Sequence, residues 1–289
     1  MAFPTGIQQQ TSRREEVSSF LPAALPLQRR GFPEGSELGE LLEETFELYN
    51  PTAAPVTCFL LPGGCAHLLL DLQYGAILCG AMNTIRALTI EAGHTVYAVR
   101  FRCGCTSWFG SLPPTCNDVS VPEGDLSWII ALGQILADCA NFSQRNAALC
   151  RVLAARGGRS YQRQALLRQC LQLIDLHRGQ IRVAALAQAA GCSERYLNRL
   201  FRSHVGLSTK TYCQLIQLRS SLHILLTTQP KSLLHVAVAC GYFDQAHMNR
   251  HYHQFLCCAA NDIRRGTGPD LPATPLNWPA NLILQEETV

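Results

Sequence analysis

The chain has 289 residues, enough for two domains of ordinary size, and 47% of them are hydrophobic, which excludes a wholly disordered chain. No apolar run approaches the roughly 18 residues that span a membrane, and the N-terminal residues lack the apolar core of a signal peptide, so we expect a cytoplasmic protein with no membrane partner. The net charge is uneven: residues 160–266 contain 13 Lys and Arg against 4 Asp and Glu, a charge of +9, whereas the rest carries 11 − 17 = −6. Such a basic block favours contact with a polyanion.

The N-terminal half predicts a β-rich domain that ends in a helix. Residues 1–45 are mixed in composition and predict a poorly ordered N-terminal extension. Short apolar runs broken by Gly, Pro and Asn then predict strands of a small sheet or barrel at residues 58–61, 66–72, 76–79, 87–91 and 95–101. A helix is predicted from Leu126 to Leu153, with an apolar face at Ile129, Leu132, Ile135 and Leu136. We assign residues 46–157 to a sensor or dimerisation domain and expect this helix to pair in a homodimer.

The C-terminal block, residues 160–266, is mostly helical and contains an internal repeat with a period of about 50 residues. The first copy runs from Val183 to Gly206 and the second from Leu233 to Cys257. The matched positions are Ala187 and Ala237, Gly191 and Gly241, Leu197-Asn198-Arg199 and Met248-Asn249-Arg250, and Phe201 and Tyr252. The offset is 50 at the glycine and 51 after it, so the second copy has one additional residue in its turn.

The shared residue types are those that a helix-turn-helix requires. A small residue, Ala187 or Ala237, lets two helices cross closely, and a glycine four residues later takes the positive φ of the turn. Ser193 and Asp244 can cap the second helix of each unit. Apolar residues at i and i+4 then anchor that helix to the core. The repeat therefore predicts two helix-turn-helix units.

Polar side chains are left on the outer faces of the two predicted recognition helices. Arg can make two hydrogen bonds to guanine, and Asn or Gln can make two to adenine, so these faces suit the major groove. The candidate DNA-binding residues are Arg195, Asn198 and Arg199 in the first helix and Gln245, Ala246, His247, Asn249 and Arg250 in the second.

A single long helix, Thr209 to Thr227, is predicted between the two copies, with Ser208 as its N-cap. Its length of roughly 28 Å is of the order of the roughly 34 Å between successive major grooves. The helix is therefore a rigid spacer for two recognition helices. Arg219, near its middle, is a candidate for contact with the DNA backbone.

The C-terminal block resembles the AraC family of bacterial regulators, most specifically in the stretch GYFDQAHMNRHYHQF from Gly241 to Phe255. The resemblance implies seven helices, two helix-turn-helix units and a connecting helix. It implies base-contacting sites at Arg195, Asn198, Arg199, Gln245, Ala246, His247 and Arg250. The sequence departs from the family at three positions. Cys257 and Ala260 stand where Gly and Pro are usual, which bears on the last turn, and Ala246 replaces a polar residue, so the second unit is expected to read fewer bases.

The N-terminal half resembles one sensor domain of the same family in two stretches, Leu61 to Cys65 and Val99 to Gly104. This resemblance implies a domain that senses a signal or mediates dimerisation. The sequence therefore predicts a sequence-specific transcription regulator that binds double-stranded DNA. Its further expected partners are a small-molecule effector, a second copy of the chain and RNA polymerase. Residues 267–289 are rich in proline and predict an irregular tail.

Two alternatives are compatible with parts of the sequence. The chain contains no GxSxG, phosphate-binding glycine loop, paired-carboxylate motif or zinc spacing, so we expect no enzyme, no metal and no cofactor. Cys103 and Cys105 lie beside Arg100 and Arg102, which would favour a thiolate, so a reactive-cysteine or alkylation sensor is one alternative. Mostly buried, inert thiols are the simpler expectation for the 14 cysteines. A helical adaptor that binds protein rather than DNA is the other alternative.

Overall fold

The computed structural model describes residues 19–20, 25–109, 127–228, 230, 232–264 and 274–275. A β-rich N-terminal part is followed by a helical C-terminal part, which confirms the predicted α+β fold class. The first sheet contains β1 (Ser19–Phe20), β4 (Val56–Leu60), β7 (Arg86–Ile90) and β9 (Thr274–Pro275), in the order β1-β4-β7-β9. The second contains β2 (Leu27–Gly31), β3 (Leu42–Tyr49), β5 (His67–Asp71), β6 (Gly75–Cys79) and β8 (Thr95–Phe101), in the order β2-β3-β8-β5-β6.

The five-stranded sheet is covered on both faces, which explains why the three leucines of β5 are buried on both sides of the strand. On β5, Leu69 packs in the core between the two sheets, whereas Leu68 and Leu70 pack on the opposite face beneath helices. On β8, Ala98 pairs with Leu69 and lies in the same core. Because successive side chains of a strand point to opposite faces, a strand buried on both faces cannot alternate between apolar and polar residues.

The sheet begins earlier in the chain than the sequence predicted. β2 and the first half of β3 fall within residues 1–45, which were assigned to an extension, and that assignment is wrong for residues 27–45. Strand β3 has the sequence LEETFELY, whose acidic residues hide it from an apolar-run search. In the fold, Glu44 pairs with Arg29 across the sheet and Glu47 pairs with Arg145 at 2.9 Å, so the charges are compensated by residues distant in sequence. Residues 1–18 lie outside the described residues.

The predicted single helix from Leu126 to Leu153 is two helices, α1 (Ser127–Ala137) and α2 (Phe142–Ala155). Asn141 separates them, and its side chain accepts a hydrogen bond from the N–H of Gln144 at 3.0 Å as the N-cap of α2. Three residues of the predicted apolar face, Ile129, Leu132 and Leu136, are fully buried against the five-stranded sheet, whereas the fourth, Ile135, is 42% exposed. Most of the face expected to pair in a homodimer is therefore used within the chain, so it does not support that prediction.

Seven described helices form the C-terminal part, the number that the family resemblance implied. They are α3 (Ala165–Leu176), α4 (Val183–Ala189), α5 (Glu194–His204), α6 (Thr209–Thr228), α7 (Leu233–Ala239), α8 (Gln245–Leu256) and α9 (Ala260–Arg264). Their hydrophobic core is continuous with N-terminal residues, including Cys65, Ile85 and Cys103. Of the predicted tail, only Thr274–Pro275 is described, and it pairs with β7. No helix among the described residues combines the length and apolarity that crossing a bilayer requires.

Candidate nucleic-acid interface

Both predicted turns have the geometry of a helix-turn-helix. Gly191 and Gly241 take φ values of +63° and +71°, a backbone conformation that glycine adopts at little cost. In the first unit, Ser193 Oγ accepts a hydrogen bond from the N–H of Tyr196 at 3.2 Å. In the second, the Asp244 carboxylate accepts one from the N–H of His247 at 2.6 Å. Helices α5 and α8 thus begin where the caps predicted.

The inner faces of α5 and α8 are packed as the repeat predicted. Leu197 and Phe201 of α5 are fully buried, and so are Met248 and Tyr252 of α8. The matched small residues, Ala187 of α4 and Ala237 of α7, are also buried. Because each second helix is fixed along one face, its opposite face has a defined direction toward solvent.

The exposed face of α5 carries the predicted arginines. Arg195 and Arg199 are exposed. The Arg199 guanidinium lies over the ring of half-buried Tyr196, with 5.2 Å between Cζ and the ring centroid. This cation–π contact favours one orientation of the Arg199 side chain, and Tyr196 was not among the residues singled out from the sequence. Its spacing of three residues from Arg199 was the available signal.

The exposed face of α8 carries Gln245, Ala246 and Arg250. His247 is half-buried, with its ring 4.8 Å from that of His251. The helix therefore presents an amide, a methyl group and a guanidinium to solvent. Each of these groups has a counterpart on the base edges of the major groove.

Asn198 and Asn249 are placed differently from the other candidate residues. Both are half-buried, and their Oδ1 atoms accept backbone N–H groups from residues 11 positions later, Thr209 at 3.2 Å and Ala260 at 3.3 Å. These are the first residues of α6 and α9, whose N–H groups have no acceptor within their own helices. The prediction placed both asparagines on the outer face of their helices. In the structure, each side chain instead connects its helix, α5 or α8, to the helix that follows.

The sequence comparisons concern mainly this part of the chain. A family model described as "Helix-turn-helix domain" matches residues 186–266. The HTH-type transcriptional regulator GlxA of Rhizobium meliloti (strain 1021) is 33% identical over 84 residues, which cover 29% of this chain and 26% of that protein. Residues 186–266 form an AraC-type helix-turn-helix domain. The match spans only about a quarter of GlxA.

Solved structures resemble the AraC-type domain and, more loosely, the whole chain. The C-terminal domain of AraT, a response regulator from Geobacillus stearothermophilus, is 21% identical with a TM-score of 0.34, over 38% of this chain and 91% of that one. ToxT from Vibrio cholerae O395 is 12% identical with a TM-score of 0.39, over 86% of this chain and 97% of that one. Both TM-scores indicate only a low overall similarity.

Helix α6 joins both units of the AraC-type domain through buried polar contacts. Ser221 Oγ and the Tyr252 hydroxyl share a hydrogen bond of 3.0 Å, and Gln217 Nε2 donates to the carbonyl of Cys240 at 2.8 Å. At the other end, the rings of Phe201 and Tyr212 are in contact, with centroids 5.7 Å apart. Helices α5 and α8 are therefore both anchored to α6.

Arg219 of α6 is close enough to the N-terminal part for its charge to act on residues there. It is half-buried, and its positive charge contributes to lowering the pKa values of Cys65 and His67, after the larger effects of a hydrogen bond from Cys103 and of burial, respectively. Both residues belong to the β-rich part. The contact between Arg219 and the DNA backbone stays a prediction.

His251 is held neutral on the buried side of α8. Burial, followed by the nearby charges of His247, Arg250 and Lys210, lowers the pKa of His251 to about 4. Its Nε2 atom accepts a hydrogen bond from the Gln214 side-chain amide at 3.2 Å, which requires the neutral ring. His251 therefore contributes to packing α8 against α6 and carries no charge to the domain surface at neutral pH.

The alternative of a reactive thiol at Cys103 or Cys105 is contradicted by their surroundings. Both are buried; burial raises the pKa of Cys105 to about 12 and that of Cys103 well above its usual range. Arg100 instead pairs with Glu43 and Glu44 and donates to Sγ of Cys65 at 4.0 Å, and Arg102 donates to backbone carbonyls. Within the described residues, no cluster of three or more His, Cys, Asp and Glu side chains could hold a metal ion.

Proposed function

We propose that the chain is a sequence-specific DNA-binding transcription regulator that inserts α5 and α8 into two successive major grooves, under the control of its N-terminal part. The observation that carries this proposal is the fixing of both recognition helices to α6 by buried contacts, with basic and amide side chains on their outer faces. Helix α6 has 20 residues, a length of roughly 30 Å. This length is of the order of the roughly 34 Å between successive grooves.

The proposed reading residues are the exposed members of the predicted set, Arg195, Arg199, Gln245, Ala246 and Arg250, with half-buried His247 beside them. An Arg at a reading position commonly donates two hydrogen bonds to guanine. Arg199→Ala is expected to cost about 1 to 3 kcal/mol of binding free energy and to relax preference at one or two base pairs. Arg250→Ala is expected to do the same roughly one helical turn away. Base-by-base binding profiles measure both effects.

A matched control is Arg159→Ala, which removes one positive charge outside residues 160–266 and is expected to leave the profile unchanged. If Arg199→Ala weakened binding equally for every sequence, Arg199 would be a phosphate contact and the first unit an anchor only.

Selection of bound DNA from a random pool by the full chain tests the function directly. We expect an enriched motif with two blocks about one helical turn apart, and an affinity that falls roughly a thousandfold or more between about 50 and 200 mM salt for several phosphate contacts. The adaptor alternative predicts neither an enriched motif nor a steep salt dependence. Failure to enrich any motif would refute the proposal.

Control by the N-terminal part is proposed because its loops contact the AraC-type domain. The N–H of Ile85 donates to the carbonyl of Phe255, which lies in the last turn of α8, at 2.9 Å. Gly64 lies directly against the ring of Tyr212 in the first turn of α6. A small-molecule effector bound in the N-terminal part could therefore act on both units. We also propose cytoplasmic action with RNA polymerase as a partner. Any homodimer would have to use a surface other than the buried face of α1.

A further inference from the structure

Phe243 is the most exposed large hydrophobic residue in the described part of the chain, with 90% of its surface accessible. Its neighbour Tyr242 is buried, with its ring against those of His247 and His251. The hydrophobic contribution of this turn to folding therefore comes from Tyr242. The ring of Phe243 buries almost no surface in the free protein.

Phe243 is also the residue by which the second turn exceeds the first. Cys192 and Tyr242 are equivalent, because each donates its backbone N–H to the carbonyl of the matched alanine, at 3.0 and 2.9 Å. In the first unit the next residue is the N-cap Ser193, whereas in the second unit Phe243 intervenes before the N-cap Asp244. The longer turn thus presents a side chain that has no counterpart in the first unit.

The backbone around Phe243 is fixed by hydrogen bonds to the first turn of α8. The N–H of Phe243 donates to Nδ1 of His247 at 3.4 Å, and the Asp244 carboxylate accepts the N–H of His247. The ring therefore extends from a defined position immediately before the exposed residues Gln245 and Ala246. Only the two side-chain torsions of Phe243 need to be ordered on binding, which keeps the entropic cost low.

The N-terminal residues of a recognition helix are those that contact base edges in the major groove. The one apolar group that DNA presents on those edges is the C5 methyl of thymine, and Phe is among the side chains that pack against it. We propose that Phe243 binds a thymine C5 methyl in the half-site read by α8, and so gives the second unit a preference that the first unit lacks. This inference rests on the proposed function.

Replacing thymine by deoxyuridine tests the contact because it removes only the methyl group. The DNA is the motif selected by the full chain, with each thymine of the α8 half-site replaced in turn, and affinity is measured by fluorescence anisotropy. We expect one replacement to weaken wild-type binding about threefold to fivefold, the effect of losing one buried methyl group. The same replacement is expected to leave the affinity of Phe243→Ala unchanged. Phe243→Leu should keep part of the response.

Val238, one of two exposed apolar residues of α7 together with Leu234, provides the control. Val238→Ala also trims an exposed apolar side chain of the second unit, and it is expected to respond to deoxyuridine as the wild type does. Circular dichroism and thermal melting establish that each variant is folded, which we expect because Phe243 and Val238 are exposed.

Three outcomes would overturn the inference. If the chain selects a motif but wild type and Phe243→Ala respond identically at every thymine, Phe243 does not bind the methyl group and the proposed function stands. If Phe243→Ala binds DNA normally but lowers transcription in a reconstituted reaction, the ring contacts a protein instead. If no motif is selected, the proposed function fails and the inference fails with it.

Discussion

Cys257 occupies a backbone conformation that is unfavourable for any residue with a side chain. It ends α8 at φ +57°, in the left-handed region, and it matches Gly206, which ends the first unit at φ +85°. A left-handed conformation costs an L-residue roughly 1 to 2 kcal/mol, whereas glycine adopts it readily. The family's usual glycine at this position therefore has a physical reason, and the last turn keeps its geometry without it.

We expect Cys257→Gly to stabilise the chain by about 1 kcal/mol, less the entropy that glycine adds to the unfolded state. Urea unfolding followed by circular dichroism measures the change. Gly206→Ala is the matched control and is expected to destabilise by a similar amount. A destabilising effect of Cys257→Gly would mean that the exposed thiol makes a contact that outweighs the backbone strain.

Asn198 and Asn249 have equivalent roles in the two units, since each accepts the first N–H of the helix that follows. At Ala260 the family's usual residue is Pro, which has no N–H. Ala260 therefore introduces a donor that Asn249 satisfies. Removing such an acceptor typically costs about 1 kcal/mol.

Asn198→Ala and Asn249→Ala are each expected to lower the free energy of unfolding by about 1 kcal/mol and to leave base preference unchanged. Unfolding curves and base-by-base profiles distinguish this from a reading role. In an Ala260→Pro background, Asn249→Ala should cost less, because the donor is gone. Base-specific losses with unchanged stability would return the asparagines to the reading set.

At the scale of the element, the packing face of α8 carries His251, which couples the stability of the chain to pH. The pKa of His251 is about 4 in the folded chain, against an ordinary value of 6.5, chiefly because of burial. Between these values the unfolded chain takes up a proton that the folded chain does not. Stability therefore falls as pH decreases from about 6.5 to about 4 and stops falling through this group below that range.

We expect His251→Leu to remove this part of the pH dependence, which amounts to about 3 kcal/mol between pH 7 and pH 4. The measurement is the free energy of unfolding of wild type and variant across that range. His253→Gln, an exposed position on the same helix, is the control and should follow the wild-type curve. A variant with the full wild-type pH dependence would show that His251 does not titrate in this window.

At the scale of the molecule, ion pairs of the buried Arg163 side chain hold the segment before α3 against the N-terminal part. The Arg163 side chain is 4% exposed; its Nε pairs with Glu40 at 3.2 Å and its Nη2 with Glu34 at 2.9 Å. Arg168 of α3 pairs with the other oxygen of Glu40 at 3.5 Å. Removing one member of such a group leaves a guanidinium with poor solvation and less compensation.

Glu40→Gln is therefore expected to destabilise the chain by about 2 kcal/mol and to increase cleavage between α2 and α3 in limited proteolysis. Glu37→Gln is the control, because Glu37 and its partner Arg159 are both 60% exposed and such pairs contribute little. Equal effects of the two substitutions would mean that the Glu40 group does not hold the two parts together.

The sequence by itself determined the features that local chemistry controls. The repeat, its turn glycines, the N-caps Ser193 and Asp244, the inward anchors and five of the strands all follow from spacings within a few residues. The AraC-type domain was predictable for this reason, since two copies of one local pattern are required to build it.

The tertiary structure decided what depends on contacts between distant residues. The sequence of strand β3 is acidic and does not indicate a strand by itself. The strand is stabilised by pairing across the sheet and by Arg145, about 100 residues away. The outward spacing of Asn198 and Asn249 could not reveal that the next helix places an N–H against each of them. Whether an amphipathic face such as that of α1 meets a partner or its own sheet is likewise set by the fold, because periodicity defines an apolar face but not what covers it.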